Sequence, residues 1–341
     1  MKNGTPLDSI LVTGGCGFIG SHLVRLLLET TSAQVINLDA MTYAAQPHNL
    51  VDVADHERYT FIEGNILNAD LLQQLFRQNN IQQVYHLAAE SHVDNSIAGP
   101  RVFIDTNVTG TFTLLEAARQ AWITFDHQIK PEYDEARFIH VSTDEVYGSL
   151  GDTGLFREGM PYAPNSPYSA SKASSDLIAR SYHKTYNLPV IITHCSNNYG
   201  PGQHDEKLIP VVIRKALAGE PIPVYGTGSN VRDWLYVRDH ALALQLVADM
   251  GGEGETYNIG GDNEHNNLDL VTRICGILDR EVPREGSFTE QITFVTDRPG
   301  HDQRYAIDAS KIKTALQWKP TETFESGLMK TVRHYLDLYQ V

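Results

Sequence analysis

Ile10-Leu-Val-Thr-Gly-Gly-Cys-Gly-Phe-Ile-Gly20 is the stretch that decides the fold. An apolar run ends in a cluster of glycines, and a helix-like segment, Ile19–Glu29, starts inside that cluster. Gly15, Gly17 and Gly20 are spaced GxGxxG, while Gly14, Gly17 and Gly20 are spaced GxxGxxG. This pattern suits a tight turn, a close approach of backbone to a pyrophosphate, and close helix–strand packing. The N–H groups at the helix start are then free to face an anion. A second apolar run, Val35–Asp39, ends in an acid about 20 residues beyond the last glycine, where a carboxylate can hydrogen-bond a ribose 2′-hydroxyl. A 2′-phosphate would meet that negative charge, and residues 40–45 contain no Arg. The expected cofactor is therefore NAD rather than NADP.

The same rhythm continues outward. Tyr59–Glu63, Val84–Ala88, Phe138–Ser142 and Val190–His194 read as further strands. Ala69–Asn79, Thr106–Ala121 and Ser169–Asn187 have helical spacing. Strand and helix in alternation predict an α/β fold, a Rossmann-type doubly wound parallel sheet. Beyond residue 195 the texture changes: Pro and Gly cluster at Gly200-Pro-Gly and at Pro221–Gly228, between the helical stretches Ile209–Ala218, Asp239–Met250, Leu268–Asp279 and Phe324–Tyr339. The expectation is an NAD-binding domain over 1–195, with later segments returning to it. A smaller, mixed lobe over 196–341 would mainly bind substrate, with a cleft between the two.

Composition narrows the function. The 341 residues carry 27 Lys and Arg against 42 Asp and Glu, a net charge of −15, which argues against binding nucleic acid or an anionic membrane. No apolar run approaches a membrane span, and Met1–Asp8 lacks the apolar stretch of a signal peptide. Cys16, Cys195 and Cys275 are far apart with no CxxC, so neither a disulfide framework nor a zinc site is expected and a cytoplasmic setting fits. His22, His183 and His240 show no metal-ligand spacing and read as packing or surface residues, and His204-Asp-Glu206 reads as a solvated loop.

Tyr168-Ser-Ala-Ser-Lys172 places a phenol and an ammonium at i and i+4, on one face of a helix. A cation there is expected to lower the phenol pKa, making Tyr168 a base for a substrate hydroxyl. Thr143-Asp144-Glu145 stands at the carboxyl end of Phe138–Ser142, the end that faces the ligand crevice in such sheets. Either feature alone also reads as an ordinary surface pattern.

With these come His86-Leu-Ala-Ala-Glu-Ser-His-Val-Asp94, Ser142-Thr-Asp-Glu-Val-Tyr-Gly148, Cys195-Ser-Asn-Asn-Tyr-Gly-Pro201, Arg232-Asp-Trp-Leu-Tyr-Val237, Tyr257-Asn-Ile-Gly-Gly261 and Asp297-Arg-Pro-Gly-His301. Spread over residues 10–330, these segments resemble the extended short-chain dehydrogenase/reductase superfamily and, within it, the dTDP-glucose 4,6-dehydratases. The resemblance implies a lyase with an internal redox cycle. Oxidation at C4 of the hexose acidifies the C5 proton; water leaves across C5–C6; hydride returns to C6. It implies catalytic roles for Tyr168 (base at the C4 hydroxyl), Thr143 (holding that hydroxyl), Glu145 (base at C5), Asp144 (acid at C6) and Lys172 (electrostatic and ribose partner). It implies NAD contacts from Gly14, Gly17, Phe18, Ile19, Gly20, Asp39, Thr42, Asn65, Ile66, Leu87, Ala88, Ala89, Thr106, Tyr168, Lys172 and Asn198. For the nucleotide sugar it implies Ser91, Thr143, Asn197, Lys207, Leu208, Pro223, Tyr225, Arg232, Asn267, Arg298, His301 and Tyr305. Arg suits a pyrophosphate with its bidentate fork, although Arg232 could equally pair with Asp233.

The family pattern also implies a homodimer through Thr106–Ala121 and Ser169–Asn187. Departures from that pattern are Asn95, where many relatives carry Arg, Asn65, where Asp is usual, and the loop 202–205. Competing readings are a 4-epimerase or decarboxylase, a dehydratase of a UDP- or CDP-sugar, and a non-catalytic NAD-binding protein. The adjacent acids Asp144 and Glu145 weigh against an epimerase, which needs no such pair.

Overall fold

A computed structural model describes residues 7–297 and 301–340. β1 (Ser9–Thr13), buried along its whole length, leads through the glycine turn into α1 (Phe18–Thr30). There follow β2 (Gln34–Asp39), β3 (Tyr59–Glu63), α2 (Ala69–Asn79) and β4 (Ile81–His86). A short α3 (Val93–Ala98) and α4 (Arg101–Phe103) run through a π-helical turn, Ile104–Gly110, into α5 (Thr111–Trp122). Then come β5 (Arg137–Thr143), α6 (Pro167–Tyr186) and β6 (Val190–Cys195).

These strands, with a later β10 (Thr256–Ile259), make one parallel seven-stranded sheet in the order β10-β6-β5-β4-β1-β2-β3. The order reverses direction between β1 and β4, and a ligand crevice opens at such a switch point beyond the carboxyl ends of the strands. Helices cover both faces, so strands such as Ile10–Val12 are apolar without alternation. The strand expected to reach Ala88 stops at His86, and Leu87–Ala89 leave the sheet to line the crevice.

The second half begins with β7 (Asn197–Tyr199), α7 (Leu208–Leu217), β8 (Ile222–Tyr225) and β9 (Val231–Tyr236). α8 (Val237–Met250) and β10 (Thr256–Ile259) rejoin the large layer: β10 pairs with β6, and α8 shares a core cluster with α1. After β11 (Glu264–Asn266), α9 (Asn267–Glu281), β12 (Ile292–Val295) and α10 (Ser310–Ala315), the fold ends in α11 (Phe324–Tyr339). A three-stranded sheet β11-β9-β7 and a two-stranded sheet β12-β8 form the small lobe. Its core is built by α7, α9 and α11 around Ile213, Ile274 and Val332. Among the described residues no helix is long and apolar enough to cross a membrane.

Candidate active site

The glycine turn is shaped by what a side chain would strike. Gly14 has φ +74°, and a Cβ there would lie 2.7 Å from the Ala88 nitrogen. A Cβ on Gly20 would lie 2.2 Å from the Gly14 carbonyl oxygen. At Gly17 a Cβ would meet only that oxygen, at 3.2 Å, and Gly17 lines the cleft. Among the described residues no side chain caps α1, so its first N–H groups are left for a ligand. Asp39 closes β2 with one carboxylate oxygen accepting from the Cys16 N–H and the other from the Met41 N–H, both at 2.9 Å. Burial pushes its carboxyl up against those two bonds. Backbone cradle, uncapped helix start and strand-end acid fit the diphosphate and a ribose of NAD.

One cleft of about 300 Å³ runs from this turn across the ends of β4, β5 and β6. Gly14, Gly17, Phe18, Ile19, Gly20, Asp39, Thr42, Leu87, Ala88, Ala89 and Asn198 line it, as do Ser91, Thr143, Asp144, Glu145, Tyr168, Lys172, Asn197 and Lys207. α6 is fixed just ahead of Tyr168: the Ser166 hydroxyl accepts from the Ser169 N–H, Ser169 answers to the Ser166 N–H, and Pro167 sits in the first turn. Thr143 ends β5, and its hydroxyl accepts the Glu145 N–H at 3.3 Å, starting the 3₁₀ turn Asp144–Tyr147.

Asp144 is 2% exposed. Its Oδ1 accepts from the Thr143 hydroxyl at 3.3 Å, and its Oδ2 has no hydrogen-bond partner among the described residues. Burial first, then the neighbouring carboxylates of Glu145 and Asp233, push its carboxyl well above the usual range; Arg232 opposes them. A carboxyl whose protonated form is favoured thus stands beside a second, half-buried carboxyl, Glu145.

The expected effect of Lys172 on Tyr168 is not what the site produces. The Tyr168 hydroxyl is pushed well above the usual phenol value, by burial and then by Glu145, with the Thr143 hydroxyl pulling the other way. Lys172 is itself buried, and its Nζ donates to the Val141 carbonyl at 2.8 Å. A low-dielectric wall and a nearby carboxylate penalise a phenolate more than this engaged ammonium favours it.

Several expected contacts fall outside the cleft lining. The Asn65 side chain accepts from the Leu67 N–H, Ile66 packs toward Gly110, and Thr106 lies in the π-helical turn. Leu208 opens α7, Pro223 and Tyr225 lie on β8, and Asn267 starts α9. Arg232 stacks its guanidinium over the Tyr305 ring at 4.2 Å and donates to the Asp302 carbonyl at 3.0 Å. Tyr305 hydrogen-bonds the Asp302 carboxylate. Asp233 instead accepts the N–H groups of Gly261 and Asn263. His301 lies 2.6 Å from Asp297 and edge-on to Tyr225. Arg298 is outside the described residues.

Sequence reasoning missed Ala44, Ala45, Val141, Ser142, Cys195, Ser196, Gln203, His204 and Glu206 as lining residues. The loop read as solvated, His204–Glu206, folds over the cleft: His204 packs edge-on to Tyr43 at 5.9 Å, and one Glu206 oxygen is buried. Cys195 and Ser196 were signalled by ending a strand at the crevice end; the loop residues carried no pattern.

A family model described as GDP-mannose 4,6 dehydratase matches residues 11–331. The dTDP-glucose 4,6-dehydratase 1 of Escherichia coli K12 is 55% identical over 336 residues, covering 96% of this chain and 92% of that protein. Among solved structures, the dTDP-glucose 4,6-dehydratase of Bacillus anthracis in complex with NAD superposes with a TM-score of 0.85 at 46% identity, covering 98% of each chain. The dTDP-glucose 4,6-dehydratase DesIV of Streptomyces venezuelae, with NAD and TYD bound, gives a TM-score of 0.87 at 46% identity, covering 96% of this chain and 97% of that one.

Proposed function

The chain belongs to the GDP-mannose 4,6 dehydratase family, and from that premise we infer the activity of its dTDP-glucose 4,6-dehydratase relatives. It is an NAD-dependent hydro-lyase that converts dTDP-glucose to dTDP-4-keto-6-deoxyglucose and water. One observation carries the reading of the site: Asp144 and Glu145, adjacent acids at the end of β5, line the same cleft as Tyr168 and Lys172, and burial with the neighbouring Glu145 raises the Asp144 carboxyl.

Bound NAD supplies a positively charged hydride acceptor for the C4 hydrogen and afterwards the donor to C6. The remaining work is assigned to side chains. Tyr168 can take the C4 hydroxyl proton only as a phenolate, which the positive charge of bound NAD would favour together with Lys172 against the burial and Glu145 that raise it, and Thr143 orients that hydroxyl. The ketone so made renders the C5 proton removable by Glu145. Asp144 gives its proton to the departing C6 hydroxyl, and Glu145 returns a proton to C5. The two acids need opposite protonation states at once; the like charge of Glu145 beside a buried Asp144 favours that split. Lys172, buried and with its Nζ donating to the Val141 carbonyl, is assigned the role of charge and ribose partner. Lys207, whose Nζ lies 3.3 Å from the Ser91 carbonyl, and Arg232 supply positive charge toward the substrate diphosphate.

NMR analysis of the product tests this, with dTDP-glucose against UDP-, CDP- and GDP-sugar controls. Deuterium placed at C4 should reappear at C6, and solvent deuterium should enter C5. Loss of the C4 label to the medium would overturn the internal return.

A further inference from the structure

Beneath the cleft lies a fully buried carboxylate that the chemistry above does not use. Asp176 is one helical turn beyond Lys172 on α6, and two beyond Tyr168, so all three share one face. It is 1% exposed. Its Oδ1 lies 3.0 Å from His140 Nε2 on β5; its Oδ2 lies 3.0 Å from His194 Nε2 on β6 and accepts from the Ser142 hydroxyl at 3.0 Å. Three elements therefore converge on one buried charge. An isolated carboxylate would not stay ionised there, because removing it from water costs several kcal/mol unless it is paired and hydrogen-bonded. Those imidazole bonds hold its carboxyl well below the usual range despite burial.

From this geometry we propose that Asp176 is a positioning residue for the reaction, supplying the buried negative charge that keeps Lys172 an ammonium on the face of α6 that carries Tyr168. The proposal rests on the catalytic reading of Lys172 given above. Lys172 is 4% exposed, and burial pulls its ammonium down from its ordinary value. The groups facing it can be named element by element. From β4 comes His86 and from β5 His140; burial holds both imidazoles well toward the neutral form. β5 also supplies the Val141 carbonyl. From β6 comes the Cys195 thiol, pushed up to about 12 and so uncharged. On α6 itself stand Tyr168 and Asp176. Around Asp176 lie also Tyr147 and Tyr162, phenols that burial keeps protonated. Asp176, one turn away on the same face of α6, is thus the carboxylate that acts on Lys172 in its favour. Without it the ammonium would lose its counter-charge in a region where charge is costly, and Lys172 would release its proton at a lower pH.

Asp176→Asn removes the charge and keeps the shape. With Lys172 easier to deprotonate, the alkaline limb of kcat/KM for dTDP-glucose should move down by about one pH unit or more, the scale of removing an opposite charge from a buried i,i+4 neighbour. Asp176→Glu should return the limb to its wild-type place. In a Lys172→Arg background, where the cation cannot titrate, Asp176→Asn should no longer move it. A folded Asp176→Asn enzyme whose pH profile superimposes on wild type, with only a uniform drop in rate, overturns the proposal. If Asp176→Asn does not fold, the wild-type holoenzyme decides. The ¹⁵N signal of lysine Nζ that vanishes in Lys172→Arg should report an ammonium at about pH 7.5, and a neutral amine would overturn the proposal. That titration needs no turnover. A failure of wild type to convert dTDP-glucose would therefore sink the functional reading and leave the Asp176 measurement standing.

Discussion

Replacing Asp144 by Asn tests the division of labour most directly. The wild-type carboxyl is buried, its Oδ2 lacks a hydrogen-bond partner among the described residues, and Glu145 and Asp233 add to the burial that raises it. Asn copies the size of that neutral acid but has no acidic proton to give a leaving hydroxyl. A positioned general acid contributes about 10²–10⁴-fold to rate. At about 1.4 kcal/mol per decade, this is about 3–5 kcal/mol of barrier. Oxidation at C4 precedes the step and rests on Tyr168. With dTDP-glucose, Asp144→Asn should therefore accumulate near-ultraviolet absorbance of reduced nicotinamide while product, followed by NMR, forms about 10²–10⁴-fold more slowly.

A second readout needs no substrate. The Asp144 pKa is higher in the folded than in the unfolded protein, so between those values the folded state binds more protons. Wild-type stability then falls as pH rises above about 3.9, the unfolded value, until the folded pKa is passed. Asp144→Asn lacks that loss, so its Tm relative to wild type should climb with pH over the same window. Product formation within tenfold of wild type, or a Tm difference flat with pH, would refute the reasoning.

Tyr168→Phe should lower kcat/KM about 10²–10⁴-fold and, unlike Asp144→Asn, show no reduced nicotinamide on mixing with substrate. Because Glu145 helps hold the Tyr168 proton on, Glu145→Gln should move the acid limb of C4 oxidation to lower pH, read as nicotinamide absorbance against pH. A limb that moves up or stays would contradict that coupling. Gly20→Ala places a methyl 2.2 Å from the Gly14 carbonyl oxygen and 2.7 Å from Gly15 Cα, both backbone atoms that cannot swing aside. It should cost about 1–3 kcal/mol of stability and weaken NAD retention, checked by thermal unfolding and calorimetry. Asp39→Asn should narrow the preference for NAD over NADP, measured as the ratio of their Kd values on cofactor-stripped protein.

The glycine turn, the acid at 39, the Tyr168/Lys172 pair and the acids 144–145 were legible in the chain because each is a local rule. A turn that excludes Cβ, an i,i+4 face and a strand that ends where carboxyls begin are all written within a few consecutive residues. The parallel sheet was legible for the same reason, since apolar strands and amphipathic helices alternate. Only the tertiary structure decided how those groups titrate. Asp144 is raised by burial, by Glu145 next to it and by Asp233 on β9. Tyr168 is raised by its surroundings where spacing alone pointed down. Asp176 is kept ionised by histidines from two different strands. His204 and Glu206 were read as solvated and instead wall the cleft. Periodicity records which face of an element is apolar. It does not record which charges from distant segments will meet in a space without water, and protonation depends on that meeting.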